Sequence, residues 1–188
     1  MMRGLVLAGG KSRRFGSDKA LAVYQGESFL SRATLILRSI ELCPVIVTSE
    51  RAFYPIPEKD ILLRDRLPEK GPLGGIYTAM KEFPGDDFLV LTCDMPALDT
   101  TALSGLLEAY KKKPLATFYE PDAGQIEPFP GIYPSSLFQN VVKNILMEKL
   151  AIHQLIRPLS EKNIIAFSGP SQVLMNVNHP YDFDELSR

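Results

Sequence analysis

Glycines and cations come together in one short stretch near the start of the chain. Residues 5–19 read Leu-Val-Leu-Ala-Gly-Gly-Lys-Ser-Arg-Arg-Phe-Gly-Ser-Asp-Lys, so an apolar run leads directly into Gly9 and Gly10. Glycines without a Cβ let backbone N–H groups approach a phosphate and permit the positive φ angles of a cradling loop. Positive charge follows from Lys11, Arg13, Arg14 and Lys19, against the carboxylate of Asp18. This composition predicts a polyphosphate-binding loop.

Clustered charge is more often a solvated surface run, so this alternative has to be weighed. The position of the glycines favours a ligand, because they follow a predicted strand and would lie at the carboxyl edge of a sheet, where open α/β folds bind ligands. Two familiar phosphate motifs fail on spacing. A Walker A loop ending at Gly10-Lys11-Ser12 would need glycine at position 5, which is leucine, and no G-x-G-x-x-G is present.

A second candidate is Asp94, in the segment Leu91-Thr92-Cys93-Asp94-Met95-Pro96. This aspartate follows the most apolar predicted strand, and Pro96 fixes an abrupt turn after it. An ordinary turn-starting aspartate explains the pattern too. We favour a metal ligand, because a hard cation that bridges phosphate oxygens needs an oxygen ligand at that sheet edge.

A third candidate joins Asp65, after a predicted strand, to Lys70-Gly71-Pro72-Leu73-Gly74-Gly75. The glycine-rich segment can be a tight turn and helix start with proline in the first turn. Three glycines in five residues also let a flat ring pass close to the backbone. Asp65 would then accept from adjacent N–H donors such as those on the guanine edge.

These candidates need a framework of alternating strands and helices. The predicted strands are 3–8, 44–48, 61–64, 87–92, 115–119 and 163–167, and the predicted helices lie near 28–40, 73–83, 100–110, 136–149 and 151–156. Alternation of this kind predicts βαβ units, a largely parallel sheet and helices on both faces. Prolines beyond residue 120 suggest an antiparallel or edge strand around Gly131-Ile132-Tyr133. We expect a single α/β domain over residues 1–188.

Composition limits the class of partner. Of 188 residues, 45% are hydrophobic and 23% charged, and the net charge is −1. No apolar run is long enough to span a bilayer and no signal-peptide pattern opens the chain, so we expect a cytoplasmic protein that is not inserted in a membrane. The missing positive field argues against nonspecific nucleic-acid binding. Cys43 and Cys93 adjoin apolar segments without metal-ligand spacing, which predicts buried free thiols.

In combination, the motifs resemble the molybdenum cofactor guanylyltransferase family. The resemblance rests on four segments, in order and over nearly the whole chain: Leu7 to Lys19, Asp65 with Gly71-Pro72-Leu73-Gly74-Gly75, Cys93-Asp94-Met95-Pro96, and Asn176-Val177-Asn178-His179-Pro180-x-Asp182. Glu127-Pro128 is similar to the family's Glu-Pro before its late strand. The resemblance implies a Rossmann-like three-layer fold of the nucleotide-diphospho-sugar transferase type, with an antiparallel strand added to a mostly parallel sheet.

The resemblance also implies an activity and a set of roles. The family transfers GMP from GTP to the terminal phosphate of molybdopterin or its molybdenum form, with magnesium, and implies transient contact with cofactor insertion and acceptor proteins. It assigns GTP binding to Leu7, Ala8, Gly9, Gly10, Lys19, Asp65 and Asp94, catalysis to Lys19, Asp94 and Arg14, magnesium to Asp94, and the pterin substrate to Asn176 and Asn178. Turn or capping roles for the two asparagines also remain open.

Several positions depart from the family pattern. Phe15 replaces the commoner Met, Gly75 the commoner Ala, His179 the commoner Thr, and Glu50 precedes Arg51 where Asn-Arg is usual. Glu50 bears most on base specificity, although a carboxylate there still accepts guanine N–H groups. Two alternatives stay open: a cytidylyl- or sugar-1-phosphate nucleotidyltransferase of the same fold, and a GTP-binding regulatory protein without catalysis.

Overall fold

A computed structural model of the protein describes residues 1–9, 18–49, 54, 56–122, 124–179 and 181–182. The described strands are β1 (Met2–Leu7), β2 (Val23–Tyr24), β3 (Glu27–Ser28), β4 (Pro44–Thr48), β5 (Ile61–Arg64), β6 (Asp87–Thr92), β7 (Thr117–Asp122), β8 (Gln125–Tyr133) and β9 (Asn163–Ala166). The described α-helices are α1 (Phe29–Ser39), α2 (Pro72–Glu82), α3 (Thr100–Lys112), α4 (Phe138–Leu146) and α5 (Ile152–Ile156). The predicted alternation of strands and helices is therefore confirmed.

Seven strands form one sheet in the order β5-β4-β1-β6-β8-β7-β9. The pairs β5/β4, β4/β1, β1/β6 and β7/β9 are parallel, whereas β8 runs antiparallel to both of its neighbours. The short strands β2 and β3 make a separate hairpin, which the sequence analysis did not predict. The sheet is thus mostly parallel with one antiparallel strand among the strands described, as the resemblance implied.

The helices cover both faces of the sheet. A Cβ on Gly4 would meet the side chain of Leu37 in α1, whereas Leu7 contacts the position where a Cβ of Gly75 in α2 would lie. Residues three apart on a strand point to opposite faces, so α1 and α2 pack on opposite sides. The central strand β6 is consequently buried on both faces, and Phe88 to Leu91 are 0% exposed. Each such side chain stabilises the fold by about 2 kcal/mol.

The predicted strand around Gly131-Ile132-Tyr133 is confirmed as antiparallel, but it is not an edge strand. Residues Gly131 to Tyr133 pair with β6, and β8 lies between β6 and β7. Pro128 and Pro130 precede these paired residues, in the part of β8 where the register with β7 shifts. The missing N–H groups are therefore tolerated at an irregularity inside the sheet.

The prediction for the cysteines is half right. Cys93 is buried, whereas Cys43 is exposed. Cys43 lies in the connection between α1 and β4, before the buried part of the strand begins, so its apolar neighbours did not determine its own environment.

Boundaries also differ near the end of the chain, where a 3-10 turn (Ser135–Leu137) and the shorter α4 replace the predicted helix 136–149. No described helix is long and apolar enough to cross a bilayer.

Candidate active site

The carboxyl ends of four neighbouring parallel strands meet at one edge of the sheet. β1 leads to Ala8 and Gly9, β4 to Ser49, β5 to Asp65, and β6 to Asp94. The backbone ties these ends together, because the N–H of Ala8 donates to the Val47 carbonyl (2.9 Å) and that of Asp65 to the Thr48 carbonyl (2.8 Å). The loops that follow the carboxyl ends of the strands are the places where open α/β sheets bind ligands. The structure thus places Ala8, Gly9, Asp65 and Asp94 along one edge.

Lys19 is the centre of the closest group of predicted residues. Its Nζ donates to Asp94 Oδ2 (3.0 Å) and to Asn178 Oδ1 (2.9 Å). The Lys19 and Asp94 side chains are 15% and 20% exposed, so the ion pair is partly shielded from water. Asp94 and Asn178, which are 75 and 159 positions from Lys19 in the sequence, therefore both contact its ammonium group.

The segment 176–182 reaches this edge through its backbone. The N–H of Val177 donates to the Asp94 carbonyl (2.8 Å). Asp182 Oδ2 accepts from the N–H groups of Asn178 (2.5 Å) and His179 (2.8 Å). Burial raises the pKa of Asp182, but these two N–H groups outweigh it and hold the pKa below its ordinary value. Asp182 thus keeps the Asn178 turn closed as a carboxylate, a role that the sequence analysis did not assign.

Asn176 and Asn178 differ in what they touch. Asn176 Oδ1 accepts a long hydrogen bond from Thr92 Oγ1 (3.4 Å), beside the end of β6. Asn178 is exposed and contacts Lys19 directly. The turn interpretation accounts for the Asn178 backbone, because its N–H donates to Asp182. It does not account for the side chain, whose amide oxygen accepts from Lys19.

A cavity of about 220 Å³ opens beside Lys19. Its lining includes Leu7, Ala8, Gly9, Lys19, Pro72 and Asp94. Two backbone groups at this edge are already hydrogen-bonded to neighbouring strands. The Ala8 N–H donates to the Val47 carbonyl, and the Leu7 carbonyl accepts from the Cys93 N–H (3.3 Å). Ligand binding through the backbone of residues 7–9 therefore relies on the remaining groups, chiefly those of Gly9.

The two carboxylate oxygens of Asp94 differ in their contacts with the described residues. Oδ2 accepts from Lys19, whereas Oδ1 is buried and has no hydrogen-bond partner among the described residues. A buried carboxylate oxygen without a donor is costly unless a cation or ligand approaches it. No group of three His, Cys, Asp or Glu side chains able to hold a metal occurs in the part of the chain that the structure describes. Mg²⁺ does not require one, because it commonly binds one or two carboxylates together with substrate phosphates.

Asp65 lies at the same edge but farther along it. β5 and β6 are three strand spacings apart, about 14 Å, so Asp65 and Asp94 face opposite ends of any ligand that lies along the edge. Asp65 Oδ1 accepts from Leu67 N–H (2.9 Å) and Thr78 Oγ1 (3.0 Å). Asp65 thereby ties the turn before α2 to the helix itself.

Internal packing accounts for the glycines that open α2. A Cβ on Gly74 would lie 2.2 Å from the Leu67 carbonyl oxygen, and one on Gly75 would lie 2.7 Å from Leu7 Cδ2. Gly71 adopts φ 58°, which favours glycine. The tight-turn interpretation thus explains all three glycines without a ligand ring.

Several predicted residues lie outside the described part of the chain. They are Gly10, Lys11, Arg13, Arg14, Phe15, Glu50 and Arg51. The roles expected of Gly10 in GTP binding and of Arg14 in catalysis therefore stay predictions.

Comparison with known proteins decides the family. The family model for the MobA-like NTP transferase domain matches residues 4–162. The chain belongs to the MobA-like NTP transferase family. A relative from Geobacillus sp. (strain WCH70), named a probable molybdenum cofactor guanylyltransferase, is 34% identical over 98% of this chain and 97% of its own length. One of the same name from Carboxydothermus hydrogenoformans is 34% identical over 96% and 92%.

A solved structure shares the fold of this NTP transferase. Molybdopterin-guanine dinucleotide biosynthesis protein A from Archaeoglobus fulgidus superposes with a TM-score of 0.79, at 20% identity, over 99% of this chain and 96% of that one. Within this family fold, Lys19 and Asp94 line the same cavity as residues 7–9. The site therefore combines a cation, a carboxylate and open backbone, which suits a nucleoside triphosphate.

The neighbouring Cys93 thiol is buried. Burial raises the pKa of Cys93 far above its ordinary value, so the thiol stays neutral and is a poor nucleophile. Two residues at the site escaped the sequence analysis as functional candidates: Tyr54, which contacts Ala8 and Asp18, and Asp182. Motif spacing could have indicated Asp182, which ends the last segment of the resemblance, but nothing in the sequence around Tyr54 indicated its contacts.

Proposed function

We propose that this NTP transferase moves GMP from GTP to the phosphate of molybdopterin, or of its molybdenum form, and releases pyrophosphate. The observation that carries the proposal is the placement of Lys19 between Asp94 and Asn178, beside the cavity at the sheet edge. Support for the substrates comes from the names of the 34% identical relatives. The proposed ligand extends along the edge, with its phosphates beside Lys19 and Asp94 and its base toward Asp65.

The reaction asks little of acid–base catalysis. The nucleophile is an oxygen of a phosphate monoester, which is ionised near neutral pH because its second pKa is about 6. The main barrier lies in bringing two polyanions into line and in stabilising charge on the leaving pyrophosphate. This explains why the site holds a cation, a carboxylate and glycine backbone.

The roles of the residues follow from their contacts. Lys19 neutralises phosphate charge and, through Asn178, lies against the segment expected to face the pterin. Asp65 would accept from the base through the oxygen not engaged by Leu67 and Thr78. Asp94 would hold Mg²⁺ through Oδ1, which has no protein donor in the described residues. When bound, the ion would supply Lewis-acid stabilisation of phosphate oxygens.

The first experiment measures pyrophosphate release with Mg²⁺ and a molybdopterin acceptor, with GTP, CTP, ATP and UTP compared in parallel. We expect release that depends on the acceptor and occurs with GTP alone. A preference for CTP would overturn the assignment of the base and favour a cytidylyltransferase. Release with a sugar 1-phosphate in place of molybdopterin would overturn the acceptor. GTP binding without release would favour a regulatory protein.

A further inference from the structure

Tyr54 lies between β4 and β5 in sequence, yet its hydroxyl reaches the catalytic edge. The ring is 4% exposed. Its oxygen lies 2.8 Å from Asp18 Oδ2 and 3.2 Å from the Ala8 carbonyl oxygen. A phenol has one proton to donate, and the carboxylate is both the closer and the stronger acceptor. The hydroxyl therefore donates to Asp18, with the Ala8 carbonyl as a weaker second contact.

Asp18 is held at both of its oxygens. Oδ2 accepts from Tyr54, and Oδ1 accepts from Ala20 N–H (3.1 Å), which caps the 3-10 turn Lys19–Leu21. Lys19 is the first residue of this turn, so a carboxylate anchored to Tyr54 fixes the backbone from which the Lys19 side chain extends. That side chain then reaches Asp94 and Asn178.

The Tyr54 hydroxyl works as a fixed donor and not as an acid. Burial, followed by the hydrogen bond to Asp18, raises the pKa of Tyr54 well above its ordinary value of 10.0. The phenol is therefore protonated throughout the pH range of an enzyme assay. Its contribution is geometric, since it links the end of β1 at Ala8 to the residue before Lys19.

We propose that Tyr54 is a positioning residue that orients Lys19 through Asp18. The inference rests on the proposed function only in taking Lys19 to contact the phosphates of a nucleotide. It does not depend on which base or acceptor the enzyme uses.

The test compares Tyr54→Phe with a matched variant, Tyr110→Phe. Tyr110 also donates its hydroxyl to an aspartate, Asp87 Oδ2 (2.7 Å), but Asp87 begins β6 and lies at the opposite edge of the sheet. Each variant removes one oxygen and one tyrosine–carboxylate hydrogen bond.

We expect similar decreases in Tm for the two variants. Only Tyr54→Phe should lower kcat/KM for the nucleotide, by about 10- to 100-fold, the range expected for one hydrogen bond to a charged group. Activity of Tyr54→Phe within twofold of wild type, or an equal loss in Tyr110→Phe, would overturn the proposal.

A double-mutant cycle tests whether Tyr54 acts through Asp18. Asp18→Asn retains an oxygen to cap Ala20 and removes the carboxylate that Tyr54 meets. If the two residues form one path, Tyr54→Phe lowers kcat/KM much less in the Asp18→Asn background than in wild type. Full additivity contradicts the path, because it means that Tyr54 and Asp18 act independently.

Equilibrium binding separates this inference from the proposed function. Binding of GTP, CTP, ATP and UTP is measured by dialysis without acceptor, for wild type, Lys19→Ala and Tyr54→Phe. Failure of the guanylyl assignment appears as tighter binding of another nucleotide by the wild type. For the nucleotide bound most tightly, we expect Tyr54→Phe to reproduce a large part of the weakening caused by Lys19→Ala. Unchanged binding in Tyr54→Phe, with weakened binding in Lys19→Ala, would refute the positioning role. Unchanged binding in Lys19→Ala would instead remove the phosphate contact on which the inference rests.

Discussion

At the residue scale, the site depends on the ammonium group of Lys19, which contacts two side chains in the described part of the chain. Lys19 Nζ bridges Asp94 and Asn178, which come from the central strand and from the C-terminal segment. Loss of Lys19 therefore removes the proposed phosphate contact and also the link between these two segments. Among the residues that the structure describes, neither oxygen of Asp94 would then have a hydrogen-bond donor.

Lys19→Ala should lower kcat by at least about 100-fold, the usual effect of removing one charge-stabilising group from a transition state. The fold should persist, because its hydrophobic core is unchanged. Pyrophosphate release and circular dichroism measure the two effects. Lys81→Ala, an exposed lysine in the last turn of α2, is the control. Turnover like wild type in Lys19→Ala would exclude this lysine from the mechanism.

Asp94→Asn should raise the Mg²⁺ concentration that gives half-maximal rate by about tenfold or more, because an amide oxygen is a weaker ligand for a hard cation than a carboxylate. Electron paramagnetic resonance of Mn²⁺ bound with GTP gives a readout independent of turnover. Asp94→Glu, which keeps the carboxylate, should recover part of the affinity. Equal Mn²⁺ affinity in wild type and Asp94→Asn would remove the ligand assignment.

At the scale of elements, close packing determines which residues fit in the first turn of α2. Gly74 lies against the Leu67 carbonyl and Gly75 against the end of the Leu7 side chain. A backbone carbonyl cannot move without shifting the turn that Asp65 holds, whereas a leucine methyl group can rotate away. The two neighbouring glycines therefore have different tolerances.

Gly74→Ala should destabilise the protein by about 1–3 kcal/mol or more, as overpacking does in well-packed interiors. Gly75→Ala should be close to neutral, because the strain against Leu7 is offset by the better helix propensity of alanine, about 1 kcal/mol. Urea denaturation of both variants measures the difference. Equal destabilisation would show that the Leu67 carbonyl does not limit this helix.

At the scale of the whole molecule, Asp86 connects the starts of the two central strands. It lies before β6 and accepts from the terminal ammonium (2.9 Å) and from Arg3 Nε of β1 (2.6 Å). The hydrogen bond from the terminal ammonium, then that from Arg3, holds the pKa of Asp86 below its ordinary value of 3.8. A lowered pKa in the folded state means stability that is complete above the unfolded pKa of about 4 and is lost as the pH falls below it.

The free energy of unfolding should therefore fall on acidification from pH 6 to pH 3, in part because Asp86 becomes protonated. Asp86→Asn should be less stable than wild type at pH 6 and should lose less stability over the same interval. Asp122→Asn, at an exposed strand end, is the control. Urea midpoints at the two pH values provide the measurement. Parallel pH dependence in Asp86→Asn and wild type would contradict this contribution.

The sequence by itself determined the alternation of strands and helices and the residues at the strand ends. Periodic apolar residues and local turn signals are short-range properties, so β6 and Asp94 were predictable from a few neighbouring residues. The resemblance to a known family added Asn178 to the candidate site residues. The structure places Asn178 in contact with Lys19, 159 positions away in the sequence.

Only the tertiary structure decided which groups meet. The interior position of β8, the exposure of Cys43 and the packing of Gly74 on Leu67 depend on residues distant in sequence or on the course of the chain. The path from Tyr54 through Asp18 to Lys19 is of the same kind, since its first contact spans 36 positions. Hydrogen bonds form between atoms that the fold brings within about 3 Å, and no local pattern in the sequence records that distance.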